Sequence, residues 1–142
     1  MLFRSENAEQ AVAAILKICD EKGCRQVVKS KSMATEEIKL NEALEKHGIE
    51  SVETDLGEYI QQLDGEPPYH IVTPAMHKSK EDVAKLFAEK LGTPPDLSPE
   101  ELTMVARKIL RDKYTEAQVG ITGANFIISE TGSIAKIGGA HV

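Results

Sequence analysis

Arg25-Gln26-Val27-Val28-Lys29-Ser30-Lys31-Ser32-Met33-Ala34-Thr35-Glu36-Glu37 is the stretch on which the fold turns. Its first four residues end in an apolar pair and read as a short strand. Lys29-Ser30-Lys31-Ser32-Met33 is a polar loop. Thr35 then offers an N-cap hydroxyl, and Glu36 and Glu37 suit the positive end of a helix macrodipole. The spacing predicts a helix over 35–46, closed by His47-Gly48. A strand that passes through a polar loop into a helix is the unit from which parallel α/β sheets are built.

The same alternation extends on both sides. Asn7 can cap a first helix, and Gln10 can complete a capping box. Ala8, Ala11, Val12, Ile15, Leu16 and Cys19 give that helix an apolar stripe, and Gly23 ends it. Residues 49–53 alternate as a second strand, followed by the loop Thr54-Asp55-Leu56-Gly57 and a short helix over 58–63. After the turn cluster Asp64-Gly65-Glu66-Pro67-Pro68, Tyr69-His70-Ile71-Val72-Thr73 reads as a third strand, stopped by Pro74. Ser79 caps a helix with Val83, Leu86, Phe87 and Leu91 on one face, broken by Gly92-Thr93-Pro94-Pro95. Ser98-Pro99-Glu100-Glu101 is the clearest helix start: an N-cap Ser, Pro at the first position and Glu at the third. Leu102, Val105, Ala106 and Ile109 follow as its buried stripe. From Ala117 the pattern shifts to Val119, Ile121, Phe126-Ile127-Ile128, Ile134 and Ile137 between Gly and Thr, which predicts short strands and tight turns. The expectation is one α/β domain over 1–142, a parallel sheet flanked by helices.

Composition agrees with a single domain. The 142 residues are 41% hydrophobic and 28% charged, with no Trp and 4% aromatics. The core must come from Ile, Leu, Val and Ala, which suits helices on a buried parallel sheet. A net charge of −6 argues against a general nucleic-acid surface. No apolar run reaches the roughly 20 residues of a membrane span, and the start lacks the apolar stretch of a secretory signal. The expected location is the cytoplasm, with no nucleic acid and no membrane among the partners. The two cysteines, Cys19 and Cys24, match no zinc motif and fall short of the four thiolates of an ordinary iron–sulfur cluster.

Chemistry is expected at strand ends, where ligands bind in open α/β sheets. Lys29, Ser30, Lys31 and Ser32 lie between a strand and a helix start, and can hold a phosphate or carboxylate; otherwise they form a solvated basic loop. Asp55 and Glu58 follow the second strand, as hydrogen-bond acceptors or an acid/base pair; alternatively Asp55 or Thr54 caps the short helix. His77 can face the same crevice, His70 belongs to the third strand, and His47 suits a helix C-terminus. The segments 120–125 and 130–133, with Thr122, Asn125, Glu130 and Thr131, are dense in Gly, Thr and Asn. They allow close backbone approach to a ligand, or form two tight turns. Neither is a Walker A loop or a dinucleotide fingerprint. Lys29, Asp55, Asn125 and Glu130 are expected to gather around one hollow.

Four blocks in order carry a resemblance: Val27-Val28-Lys29-Ser30-Lys31-Ser32-Met33; Glu53-Thr54-Asp55-Leu56-Gly57-Glu58-Tyr59-Ile60; His70-Ile71-Val72-Thr73-Pro74-Ala75; and 119–126 with Glu130-Thr131-Gly132. Together they resemble the LUD domain, most closely the version in the lactate-utilization B branch of that family, from about Phe3 to Ile134. The resemblance implies a fold similar to ribose-5-phosphate isomerase and the CoA transferases, incomplete here. It also implies a role in oxidising L-lactate to pyruvate within a multi-component iron–sulfur complex. Fuller family members carry a cysteine-rich region with two 4Fe–4S clusters. Relative to that plan the chain lacks the N-terminal extension, the later strands and the cluster region, so it reads as a partial LUD domain. Gly138-Gly139-Ala140-His141-Val142 does not resemble the family's continuing sheet, and the missing strands leave an edge that another chain or a loop must cover.

The matching blocks nominate Glu130, Asp55 and Glu58 as catalytic. They nominate Lys29, Ser30, Lys31, Ser32, Thr122, Asn125 and Thr131 as binding substrate or cofactor, with no metal ligand. Glu130 gains weight from the glutamate nucleophile of the related CoA transferases, a fold-level analogy. The expected partners are other lactate-utilization subunits and a small anionic substrate. No cofactor is expected in this chain, and 4Fe–4S clusters are expected in full-length members or partner subunits. The competing readings are an isomerase or CoA-transferase type enzyme on an anionic substrate, and an inactive truncated fragment.

Overall fold

The computed structural model describes residues 3–137. In chain order the elements are α1 (Ala8–Glu21), β1 (Gln26–Lys29), α2 (Met33–Glu37), α3 (Leu40–Lys46), β2 (Glu50–Glu53), α4 (Leu56–Asp64), α5 (Lys80–Leu91), α6 (Pro99–Glu116), β3 (Val119–Ile121), β4 (Phe126–Ile128) and β5 (Ser133–Ala135). Strands β2-β1-β3 form a parallel sheet in that order, with Lys29 level with both Glu53 and Ile121. Strands β4 and β5 pair separately as an antiparallel hairpin.

The central strand divides the core by alternation, since successive side chains point to opposite faces. Val27 packs with Cys19, Leu40, Leu44 and Ile49, the layer made by α1 and α3. Val28 packs with Tyr59, Ile60, Phe87, Leu102 and Leu110, the layer made by α4, α5 and α6. All four residues of β1 are therefore buried. The structure is an α/β domain with helices on both faces of a three-stranded parallel sheet. Among the described residues no helix is long and apolar enough to cross a membrane.

Local signals set most helix ends. Asn7 accepts the Gln10 N–H and caps α1, although the Gln10 side chain accepts from Glu6 N rather than closing a box on Asn7. Ser79 with Asp82 and Ser98 with Glu101 form complete capping boxes. Gly92 stops α5 at φ 70°, a left-handed backbone that glycine adopts without strain.

Three expectations are corrected. The helix over 35–46 is two helices, because Lys39 takes a left-handed backbone at φ 53° between α2 and α3. Thr35 is not its cap: the helix starts at Met33 after Ser32, and the Thr35 hydroxyl donates back to the Ser32 carbonyl at 2.8 Å. Residues 69–73 are a turn rather than a third strand. Tyr69 N–H donates to the Pro74 carbonyl, and the Val72 and Thr73 amides donate to the His70 imidazole. Those bonds consume donors that a sheet ladder needs. Val72 is consequently 72% exposed. Residues 138–142 and the terminal His141 lie outside the described residues.

The loop that carries this turn is anchored by Pro74, which packs on Gly57 in the first turn of α4. A Cβ on Gly57 would stand 2.6 Å from Pro74 Cγ and 3.0 Å from its Cδ. The proline ring cannot swing away, so Gly57→Ala must displace either the loop or the start of α4. Overpacking of this kind costs about 1–3 kcal/mol. A chemical denaturation midpoint unchanged in Gly57→Ala would show that the loop does not pack there.

Candidate functional site

The parallel register brings three strand ends together. Ser30 N–H donates to the Ile121 carbonyl at 2.9 Å, and Thr54 donates to the Lys29 carbonyl through both N–H and hydroxyl at 3.0 Å. Ser30, Thr54 and Thr122 therefore stand side by side at the carboxyl ends of β1, β2 and β3. Ser30 Oγ lies 3.1 Å from Thr122 Oγ1 and donates to it.

Lys29 occupies the last residue of β1 and is 1% exposed. Its ammonium forms an ion pair with Glu53 Oε1 at 2.7 Å and donates to Thr35 Oγ1 at 2.9 Å and Glu36 Oε1 at 3.1 Å. An ammonium has three N–H donors, so all of them are spent within the protein. Lys29 ties the central strand to α2 and to β2. Asn41 Nδ2 adds a 2.8 Å bond to the same Glu53 oxygen, and Ser51 Oγ donates to Asn41 Oδ1. Gln62 clamps the edge strand, accepting from Glu53 N and donating to the Ser51 carbonyl. The sequence carried a readable sign of this hub: Val28-Lys29 and Val52-Glu53 end adjacent parallel strands with opposite charges at the same register.

Lys31, two residues on, keeps 29% of its side chain exposed. It donates to Glu58 Oε1 at 2.8 Å and to the Val72 carbonyl at 3.1 Å. One N–H remains for a ligand. Glu58 faces it from the first turn of α4, buried, with its second oxygen free of any protein donor. Burial, and after it the Asp55 carboxyl hydrogen-bonded beside it, hold Glu58 above the usual carboxylate range, against the pull of Lys31. Asp55 also accepts the Gly57 N–H at 3.2 Å and caps α4. Ser30 and Thr122 thus pair their hydroxyls at the strand ends, while Lys31, Glu58 and Asp55 set a cation beside a carboxyl pair. That set can hold a carboxylate and move a proton at Glu58.

The remaining candidates lie elsewhere. Ser32 sits at the N-cap of α2 and makes no side-chain capping bond. Asn125 closes the β4–β5 hairpin, its Oδ1 accepting Ile137 N–H at 2.8 Å. Thr131 Oγ1 accepts from Ser133 N–H in the exposed hairpin turn that also holds Glu130. The expected gathering of Lys29, Asp55, Asn125 and Glu130 is therefore not formed: Lys29 is locked beneath the site, and the hairpin packs into neither core cluster. His70 and His77 belong to the 66–78 loop, where His77 stacks on Tyr69 at 4.7 Å and meets Glu66. His47 ends α3 and bonds Asp20 at 2.8 Å.

The donor set does not fit an iron–sulfur cluster. Cys24 Sγ donates to the Gln26 carbonyl at 3.2 Å, and Cys19 is fully buried. Burial and then the neighbouring Cys24 thiol push Cys19 up to about 11. These are the only two thiols of the sequence, and a 4Fe–4S cluster needs four thiolates.

Comparison with known proteins fits this architecture. Lactate utilization protein B of Bacillus subtilis (strain 168) is 52% identical over 137 residues, covering 96% of this chain and 29% of that protein. The Bacillus licheniformis protein of the same name is 51% identical over 137 residues, with 96% and 29% covered. That of Oceanobacillus iheyensis is 52% identical over 136 residues, with 96% and 28% covered. The chain thus spans under a third of the length of these relatives. No solved structure matches it. The LUD domain family matches residues 2–141, somewhat wider than the resemblance from about Phe3 to Ile134, and the chain belongs to that family.

Proposed function

We propose that the chain acts in lactate utilization, as the part of an L-lactate-oxidising assembly that holds the substrate. In this reading the iron–sulfur clusters that accept electrons lie outside these 142 residues, on further segments or partner subunits. The proposal rests on the identity to lactate utilization protein B across nearly the whole chain. The strand-end site supplies fitting chemistry. L-lactate presents a carboxylate and a neighbouring hydroxyl. The free N–H of Lys31 and the Thr122 hydroxyl bind the carboxylate, a charge-assisted contact. Oxidation of the hydroxyl carbon to a carbonyl releases two electrons and two protons: Glu58, with Asp55 beside it, takes the hydroxyl proton, while the electrons and the Cα proton leave to the acceptor outside this chain. The raised pKa of Glu58 makes it the stronger base once ionised.

Calorimetric titration with L-lactate tests this. Binding is expected in the wild type and is expected to weaken roughly ten- to a hundredfold in Lys31→Met, the worth of a hydrogen bond to a charged group. No binding, or equal affinity in Lys31→Met, overturns the proposal.

A further inference from the structure

Cys19 and Cys24 are the only thiols of the sequence, and both are free. They meet where α1 ends and the chain turns into β1. Gly23 takes a left-handed backbone at φ 58°. Its N–H donates to the Asp20 carbonyl at 3.0 Å, and the next N–H, of Cys24, donates to the Cys19 carbonyl at 2.8 Å. This pair of bonds is a Schellman helix end, which brings the side chains of its two outer residues into contact. Here those residues are the two cysteines. Standard backbone lengths hold their Cα atoms within about 6.7 Å across the 19–24 bond, inside the roughly 4.4–6.8 Å that a disulfide spans. The side chains follow the backbone. Cys24 packs on the cluster of Val27, Leu40, Leu44 and Ile49 in which Cys19 is buried, and the two thiols are hydrogen-bonded neighbours.

The two sulfurs differ in access. Cys19 is 0% exposed, whereas Cys24 is half-buried and donates its thiol proton to the Gln26 carbonyl at 3.2 Å. A small oxidant therefore reaches Cys24 first. Cys19 is closed to solutes but stands against the sulfur that the oxidant meets. An oxidisable thiol beside a resolving cysteine is the layout of a reversible redox site.

We propose that Cys24 and Cys19 form a reversible disulfide on reaction with a peroxide. The Cys24 thiolate attacks one peroxide oxygen, the O–O bond breaks, and Cys24 becomes a sulfenic acid while the other oxygen leaves as water. The Cys19 sulfur gives up its proton and attacks the Cys24 sulfur. The S–S bond forms, the S–O bond breaks, and a second water leaves. In all, two thiols lose two electrons and one peroxide is reduced to two waters. The disulfide takes the S–H donor away from the Gln26 carbonyl and ties the end of α1 to the entry of the central strand.

The test is treatment of the chain with hydrogen peroxide, read by thiol titration in denaturant and by peptide mass. Both thiols are expected to disappear together, with the peptides that carry them joined, and dithiothreitol is expected to restore both. Cys19→Ala is expected to stop at a sulfenic acid on Cys24, trapped by dimedone. Cys24→Ser is expected to leave Cys19 unreacted over the same time. The oxidised chain is expected to melt a few degrees higher than the same sample after dithiothreitol, because the closed loop restricts the unfolded chain. Two free thiols after treatment overturn the proposal. So do disulfides between chains as the main product, oxidation of Cys19 in Cys24→Ser at the wild-type rate, or a melting temperature that dithiothreitol raises.

Discussion

Lys29→Met is expected to destabilise the domain by about 3–5 kcal/mol, the usual cost of stranding a buried charge. The substitution keeps most of the stem volume and removes only the ammonium. Glu53 is then left at 3% exposure with Asn41 as its one remaining donor, while Thr35 and Glu36 lose their tie to the sheet. In a domain of this size the melting temperature falls by roughly 2–4 °C per kcal/mol. The companion variant Lys29→Met/Glu53→Gln removes both charges, keeps an acceptor for Asn41, and is expected to regain more than half of the loss. If the single variant melts within a few degrees of the wild type, the lysine is not the hub described here. The pair itself need not add net stability over an apolar replacement, since desolvation offsets much of its attraction. Its evident consequence is positional: it fixes where β1 ends and Ser30 begins.

Phe87→Ala is expected to cost a comparable amount, about 3–5 kcal/mol. Phe87 is completely buried in the layer that joins α5 to Val28, Ile60 and Leu102. Truncation removes a ring and leaves a cavity that neighbouring helices cannot fill without shifting. Urea denaturation is the appropriate measurement, because the midpoint should fall while the slope stays constant. A loss below about 1 kcal/mol, at the bottom of the range for large-to-small core changes, would mean that α5 does not seal that face.

Much of the fold was legible because short-range chemistry settles it. Asn7, Ser79 and Ser98 announced their helices, and each side chain accepts a backbone N–H as its position implied. Val27 and Val28 marked the central strand, and the register then set Lys29 beside Glu53. The 69–73 segment misled because Ile71 and Val72 have strand propensity, while the deciding event was nonlocal: Pro74 seats on Gly57, and the His70 ring captures the amides. The 35–46 helix misled for the opposite reason. Nothing between Glu37 and Leu40 forbids a continuous helix, and the break at Lys39 serves the packing of Leu40 and Leu44 against Val27.

The site divides along the same line. Lys31, Asp55 and Glu58 could be grouped from sequence because each lies just after a strand. Lys29 looked equivalent to Lys31, yet side-chain alternation sends it under the sheet surface among Thr35, Glu36 and Glu53. Asn125 and Glu130 seemed to belong to the same hollow, but they flank β4, a strand of a different sheet. Exposed apolar residues on that hairpin, such as Ile127 at 72%, bury nothing in either core cluster.

The central claim is that the ends of β1, β2 and β3 form one carboxylate site. Backbone amide NMR of the wild-type chain titrated with L-lactate tests it most directly. The account predicts saturable shifts concentrated at Ser30, Lys31, Asp55, Glu58 and Thr122, and their disappearance in Lys31→Met. Saturable shifts confined to the β4–β5 hairpin, or none anywhere, would contradict it.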